Sequence, residues 1–580
     1  MVGSKAEAYW KELHDRERGC FVGLRSAELQ YMALSVIRDY EEEIRMLRQR
    51  IQAIKSIYNS GASINELLPN ELLVQIFRWV GPRFSTVDAV RLTHVCRSWR
   101  SVIHGTPVFW ADLLNPDGAI FARHASDFWI VRKAFERSAQ IPGLRFSLNG
   151  TFLSCLKTYP SLTSHISRIS TLHLDCIGNK HRDLRPFIRL QMPNLEDLTV
   201  WLKCADARVT PADTPSNFPR LRRLRTNCVS FAVRWISPSA RQLIIGQHWE
   251  EWGRSPIPKL VPCCTARKLD RLWDALRGPC ADLTELRLDS CISDKITRPR
   301  DPPLELSKLE TLLLHAHTSD IIQTLLNSMK LPETAQVTLI STFCPYDKLC
   351  SMGTGVPCIP KVDRLAIDMG SLTRHRIFNY VVRSYEDCTK QLTLCSYKDP
   401  IDILNPIDNS NPIDLLRFFQ GSVSMFSPEM ITELDVNFTQ PLPGLVSADN
   451  AGWLWLFRRF PRIFRLKVET QSSYDLCTAL AHDDVLPNLR IFTLHTGTDA
   501  TAVNNEILMF VLEDRASRGL LLQSLYFARR VSSQEEAIIP PDVASNLRRR
   551  LNAIVPNFSF TAKWGPRGEG VIEDLLDGEV

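Results

Sequence analysis

The chain has 580 residues, 44% hydrophobic and 23% charged, which is the balance of a folded protein with ample apolar surface to bury. Its 70 basic and 64 acidic side chains leave a formal net charge of +6, too even to imply nucleic acid or an anionic membrane as partner. The length has room for several domains or for one long repeat array.

No run approaches the roughly 18 apolar residues of a membrane span. The first residues, MVGSKAEAYWKELHDRERG, lack the apolar core of a secretory signal, and the closing DGEV matches no lipidation or retention signal. An intracellular setting, cytoplasmic or nuclear, is therefore expected. The sixteen cysteines, with no C-x-x-C pair among them, are expected to be reduced and mostly buried as small hydrophobes.

After an N-terminal segment (1–29), residues 30–58 carry a heptad. Ile37, Ile44, Ile51 and Tyr58 fall in one phase and Tyr40, Leu47 and Ile54 in the second, with Glu41, Glu42, Glu43, Arg45, Arg48 and Arg50 between them. Two readings fit this stretch: the seam of a coiled coil that makes a homodimer, or one amphipathic helix packed on the neighbouring domain.

Asn59-Ser-Gly-Ala-Ser63 breaks the helix, and a module at 62–115 follows. Pro69 suits a first helical turn, with Glu71 at the positive end of the dipole. Leu72, Leu73, Ile76, Phe77 and Val80 give a helical apolar face, and Gly81-Pro82 is expected to end that helix. Val87, Val90, Leu92, Val95, Trp99 and Val102 then predict one second helix, and 116–142 reads as linker helices.

From residue 143 to about 530 a short apolar pattern recurs. Its middle residues are Phe146, Leu172, Leu198, Leu224, Leu243, Leu286, Leu312, Val337, Leu365, Leu392, Leu434, Leu466, Phe492 and Leu525, and several intervals are 26 residues. A period of this size with one short strand per unit is the leucine-rich-repeat signature, in which stacked strands bury what a single strand cannot. Insertions are expected near 247–282 and 398–428. The second holds Pro-Ile-Asp three times, at Pro400, Pro406 and Pro412, and reads as an exposed loop. Residues 531–580 are expected to form a C-terminal cap and then a flexible tail, loosely ordered after about residue 556.

The module at Leu67–Trp110 resembles the F-box. Leu68, Pro69, Glu71, Leu72, Leu73, Ile76 and Phe77 match the family's opening motif, Val95, Cys96, Arg97 and Trp99 its V-C-[RK]-x-W centre, and Trp110 its late tryptophan. The turn at Gly81–Arg83 and Trp79 depart from the usual pattern. Together with the repeats, the layout is similar to the F-box and leucine-rich-repeat proteins frequent in basidiomycete fungi. The fold class expected is mixed α/β: an N-terminal helix or short coiled coil, a small all-α F-box, then an α/β leucine-rich-repeat solenoid.

The resemblance implies a substrate-recognition subunit of a Skp1-cullin-F-box ubiquitin ligase, recruiting an unidentified protein substrate through the repeats. The alternative is a protein-binding scaffold with no part in ubiquitylation. Carried over by position, Leu68, Pro69, Leu72, Ile76, Phe77, Val95 and Cys96 face the Skp1-like adaptor or support that surface, and Trp99 and Trp110 close the module's own core. Along the repeat strands, alternate residues are expected to point outward. Trp201, with Arg223, Arg225 and Arg287 around it, is the candidate substrate-facing anchor, or else part of a solvated face.

Enzyme signatures are absent from the sequence: there is no G-x-S-x-G, no P-loop and no G-x-G-x-x-G. Cys344, Cys350 and Cys358 are spaced too widely for a zinc knuckle. No catalytic residue, metal or cofactor is expected, and Arg220–Arg225, whose leucines keep the repeat phase, is not expected to bind nucleic acid.

Overall fold

The computed structural model describes residues 11–12, 14–61, 67–84, 90–114, 128–149, 160–176, 191–202, 218–246, 266–277, 282–292, 299–343, 356–357, 359–369, 377–386, 389–398, 415–438, 450–470, 473–497, 502–531, 541–564 and 570–572. They belong to two units, Met1–Ser147 and Leu148–Val580.

In the first unit the heptad region lies within one long helix, α1 (Ser26–Ser60). Its first turn is held by the Glu28 carboxylate, which accepts from the Arg25 N–H at 3.1 Å, and Gly61 donates back to the Ile57 carbonyl at 3.2 Å. Helix α2 (Asn70–Phe84) starts at Pro69, whose carbonyl accepts from Leu72 and Leu73 at 3.1 Å each. It runs on through Gly81-Pro82, which sequence pattern placed after its end. A proline so near a helix terminus removes only one of the few bonds left there.

The single second helix expected from Val87 to Val102 is also corrected. The chain is helical at 90–92, turns at 93–95, and restarts as α3 (Arg97–His104). Thr93 closes the turn by donating from its hydroxyl to the Val90 carbonyl at 2.6 Å, and Arg100 Nε donates to the Thr93 carbonyl at 2.8 Å. Helices α4 (Pro107–Asp112) and α5 (Phe128–Arg137) and strand β1 (Leu144–Asn149) follow. Leu73, Phe77, Ile103, Phe109, Trp110, Leu113 and Phe135 are buried as the core of this unit.

The second unit is built on a large, mostly parallel sheet. A 3-10 helix (Pro160–Arg168) precedes β2 (Ile169–Cys176), β3 (Asp197–Leu202), β4 (Arg223–Thr226), β5 (Gln242–Gly246) and β6 (Glu285–Asp289). The short strands β7 (Leu304–Glu305) and β9 (Met329–Lys330) pair apart from it, while β8 (Thr311–Thr318) and β10 (Gln336–Phe343) continue the main sheet. Helices α6 (Val229–Trp235), α7 (Ala266–Arg277) and α8 (Ser319–Leu326) lie between strands in the chain.

Next come β11 (Arg364–Met369), β12 (Ile377–Glu386) and β13 (Thr389–Lys398), then α9 (Leu415–Val423), β14 (Glu433–Asn437), α10 (Ala451–Arg459) and β15 (Arg465–Thr470). The chain continues through α11 (Tyr474–Leu480), β16 (Ile491–Thr496), α12 (Ala502–Ser517), β17 (Ser524–Val531), α13 (Pro541–Ile554), β18 (Asn557–Trp564) and β19 (Gly570–Ile572).

Strand register aligns the recurring residues. Leu172, Leu198, Leu224, Leu243, Leu286, Leu312 and Val337 face one another across successive parallel pairs from β2 to β10. The row then departs from chain order. Val337 meets Leu392 of β13, Leu392 meets Ser384 of the antiparallel β12, and Ser384 meets Leu365 of β11. From Leu365 it runs on through Leu434, Leu466, Phe492, Leu525 and Phe558.

Strand β18 therefore lies inside the stretch read from sequence as a loose tail. Phe558-Ser-Phe560 is one more apolar-x-apolar strand, and Phe560 packs on Phe527 with ring centroids 4.9 Å apart. Residues 573–580, the three Pro-Ile-Asp copies, and Cys344, Cys350 and Cys358 lie outside the described residues.

Candidate functional site: the helical module at 67–114

The two faces of α2 differ in kind. Leu73 and Phe77 turn inward, Phe77 to 1% exposure, whereas Leu72, Ile76 and Trp79, at i, i+4 and i+7, are 44%, 40% and 69% exposed. Leu67 before the helix and Val95 in the turn before α3 are exposed too. Pro69 is exposed and Leu68 half-buried, so the segment leading into α2 is accessible. A small module of this kind exposes side chains that a closed core would have taken in.

Of the residues expected at an adaptor surface, Leu68, Pro69, Leu72, Ile76 and Val95 are thus placed where a partner reaches them, and Phe77 is not. Phe77 packs against Trp99 with the rings tilted by 53° and their centroids 4.7 Å apart. Cys96 is half-buried and acts locally, its Sγ accepting from the Trp99 N–H at 3.4 Å as the N-cap of α3. The V-C-R-S-W signature is therefore a turn, a cap and a first helical turn. Cap residues are recognisable in sequence when they are Ser, Thr, Asp or Asn, and a cysteine in that position gives no such signal.

Trp110 is buried, and its indole N–H donates to the Ile103 carbonyl at 2.9 Å. Phe109 meets it edge-on, and the Arg137 guanidinium lies 5.2 Å from its ring centroid. Between α2 and α3 an open groove of about 560 Å³ is lined by Asn70, Glu71, Val74, Gln75, Arg78, Ser101, Val102, Gly105 and Thr106.

In the second unit the expected substrate anchor is corrected. Trp201 is 3% exposed, and Thr199, Val200 and Leu202 are buried with it. Strand β3 is covered on both faces, as strands inside parallel sheets commonly are, and a large indole gains from that burial. Arg223, Arg225 and Arg287 are half-buried. Arg223 pairs with Asp197 of the neighbouring strand at 3.1 Å and Arg287 with Glu285 of its own strand, so both cations are already committed. Similar pairs recur further along the sheet, as between Lys467 and Asp435 at 3.2 Å.

Cys20, Cys96, Cys228, Cys291, Cys395 and Cys477 are unbridged. Cys228, Cys291, Cys395 and Cys477 are buried, and burial pushes the Cys477 thiol up to about 12, too high for a nucleophile near neutral pH. No group of three or more His, Cys, Asp or Glu suited to a metal occurs among the described residues, and none of their helices is long and apolar enough to cross a membrane.

A family model described as F-box-like matches residues 66–115, which is the span of the exposed α2 face, the capped turn and the Trp110 core. The chain therefore carries an F-box-like domain followed by a large, mostly parallel α/β sheet. No curated protein matches the chain.

Proposed function

We propose that the F-box-like domain docks a Skp1-like adaptor of a cullin-based ubiquitin ligase, and that the second unit recruits a protein substrate to it. F-box domains in general bind Skp1-like adaptors. The observation that carries the reading is the exposed apolar line Leu72, Ile76 and Trp79, with Leu67 and Val95, inside a module whose own core is complete. The chain then acts by proximity. It performs no bond chemistry, and holds a target lysine near the conjugating enzyme at high effective concentration.

The second unit reads as a leucine-rich-repeat-like solenoid. What supports this is the 26-residue spacing together with the shared register row from Leu172 to Phe558. Its exposed charged positions, such as Arg465, rather than Trp201, are then the residues to vary for target choice.

The test is co-purification of the full chain with a Skp1-like adaptor, comparing wild type with a Leu72→Asp, Ile76→Asp variant. Wild type is expected to retain the adaptor and the variant to lose it at least tenfold. Absence of binding by wild type, or equal binding by both, rejects the reading. Adaptor binding without substrate ubiquitylation in a reconstituted ligase limits the chain to a scaffold.

A further inference from the structure

Helix α1 presents its whole heptad seam to solvent. Ile37, Tyr40, Ile44, Leu47, Ile51, Ile54 and Tyr58 are each between 40% and 80% exposed. An apolar line of this length is costly to leave in water and marks an association surface. The charges flanking it divide by position: Glu41 and Glu43 lie in the N-terminal half, Arg48 and Arg50 in the C-terminal half. All four are exposed, and none makes an ion pair among the described residues. Away from the seam, Glu42 and Arg45 bond each other at 2.7 Å.

We propose that α1 pairs with α1 of a second copy of this chain, antiparallel, about a two-fold axis that crosses the helix between Arg45 and Met46. Seam residues equidistant from this axis meet, while on the flanks e positions meet e and g positions meet g, two residues out of step. Ile44 then faces Leu47 of the second copy, Tyr40 faces Ile51, Ile37 faces Ile54, and the small Ala33 faces the large Tyr58. At the flanks Glu41 falls beside Arg48 and Glu43 beside Arg50, each pair occurring twice by symmetry. Val36 falls beside Ile57, apolar against apolar.

The same heptad in a parallel dimer is less favourable. It keeps one attractive flank, Glu43 beside Arg48, but sets Arg50 against Lys55 and each of Tyr40 and Tyr58 against its own copy. The separation of acidic and basic halves thus selects the antiparallel arrangement and its register. The hydroxyl of Tyr40 also donates to Glu17 of the preceding segment, which ties that segment to the edge of the seam. The helix carries this inference whatever the F-box-like domain binds.

Sedimentation equilibrium of the full chain is expected to give twice the 66.1 kDa of one chain at micromolar concentration and a return toward one chain on dilution. An Ile44→Asp, Leu47→Asp variant, changed only at exposed positions, is expected to remain at one chain throughout. A Glu41→Arg, Glu43→Arg variant should also dissociate, and an equimolar mixture with Arg48→Glu, Arg50→Glu should restore the dimer. Direction is read by photo-crosslinking p-benzoylphenylalanine placed at Ile37: the peptide captured from the second copy should contain Ile54. A single-chain mass at every concentration overturns the proposal. So does a dimer that survives Ile44→Asp, Leu47→Asp, or capture of the peptide around Ile37 itself.

Discussion

A Cβ placed on Gly246 would lie 1.8 Å from the main-chain carbonyl oxygen of Asp289, its register partner on the next strand. Gly246 also has φ +131°, which L side chains rarely adopt. The pair sits at the C-terminal end of both strands, β5 and β6. Gly519 offers a matched control, because its φ is +78° and nothing lies within 4 Å of its would-be Cβ. Gly246→Ala is expected to cost more than about 3 kcal/mol through displaced backbone, and Gly519→Ala only about 1 kcal/mol from its left-handed conformation. Thermal melting of the full chain and protease resistance of the second unit should order the two variants that way. Equal effects would falsify the steric account.

Arg515 is a buried arginine that holds a loop by its carbonyls. Its Nη1 donates to Leu480 O at 3.3 Å and Val485 O at 2.9 Å, and its Nη2 to Leu486 O at 2.8 Å. Burial pulls the guanidinium down to about 10, so it stays charged near neutral pH. Arg515→Met preserves length but takes the guanidinium donors from the Leu480 and Val485 carbonyls, while Leu486 O keeps the Leu489 N–H at 3.1 Å, and is expected to destabilise by about 3 kcal/mol. Arg515→Lys should recover little, since one ammonium lacks the fork that spans these oxygens. Hydrogen exchange at 480–490 should rise in both variants; unchanged protection counts against the role.

Ile76 and Phe77 are adjacent in sequence and opposite in role. Phe77→Ala empties a core position against Trp99 and is expected to cost about 3–5 kcal/mol, loosening the domain. Ile76→Ser changes an exposed side chain and should shift stability by less than about 0.5 kcal/mol while weakening adaptor capture. Differential scanning fluorimetry beside a binding assay separates the two. A large melting shift for Ile76→Ser contradicts the assignment.

Cys96 caps α3 with a weak acceptor. Cys96→Ser supplies a stronger one and is expected to stabilise the domain by up to about 1 kcal/mol, whereas Cys96→Ala loses the cap. A serine variant that melts no higher than the alanine variant shows that the Sγ contact contributes nothing.

Acid should loosen the same domain. Burial first, then the charges of Arg137 and Arg100, hold the His104 pKa below the ordinary imidazole value. The unfolded chain takes up this proton near pH 6.5 and the folded domain only at lower pH. Between those values the unfolded state binds more protons, so stability falls as pH drops through about 6.5 and levels off once folded His104 is charged as well. Tryptophan fluorescence melts at pH 7.5 and 5.5 should show the loss, and His104→Gln should reduce it. A pH response identical in the variant removes His104 as its source.

Strand positions were legible because one apolar-x-apolar pair per unit is a strong, repeated signal; Leu198, Leu312 and Leu466 all fall on the same register row. Strand order was not. Val337, Leu365 and Leu392 read as consecutive neighbours, yet the antiparallel β12 intervenes, and its place in the row is taken by Ser384, which breaks the pattern. The docking face of α2 was half legible. Helical spacing gathers Leu72, Leu73, Ile76 and Phe77 on one broad stripe, and only packing decides that Leu73 and Phe77 fill the core while Leu72 and Ile76 face out. Trp201 misled for a related reason: alternation tells which side of a sheet a residue takes, and says nothing of whether that side is covered.

The detour of the register row sets an order of events during synthesis. Strand β10 leaves the ribosome with one edge open, and the next strand to emerge, β11, is not the one that fills it. That edge waits for β13, so Val337 meets Leu392 only after both intervening strands have been made. The nascent chain thus passes through a stage in which its growing sheet cannot simply add the newest strand to its end, and pairing β10 with β11 there is the error it must avoid.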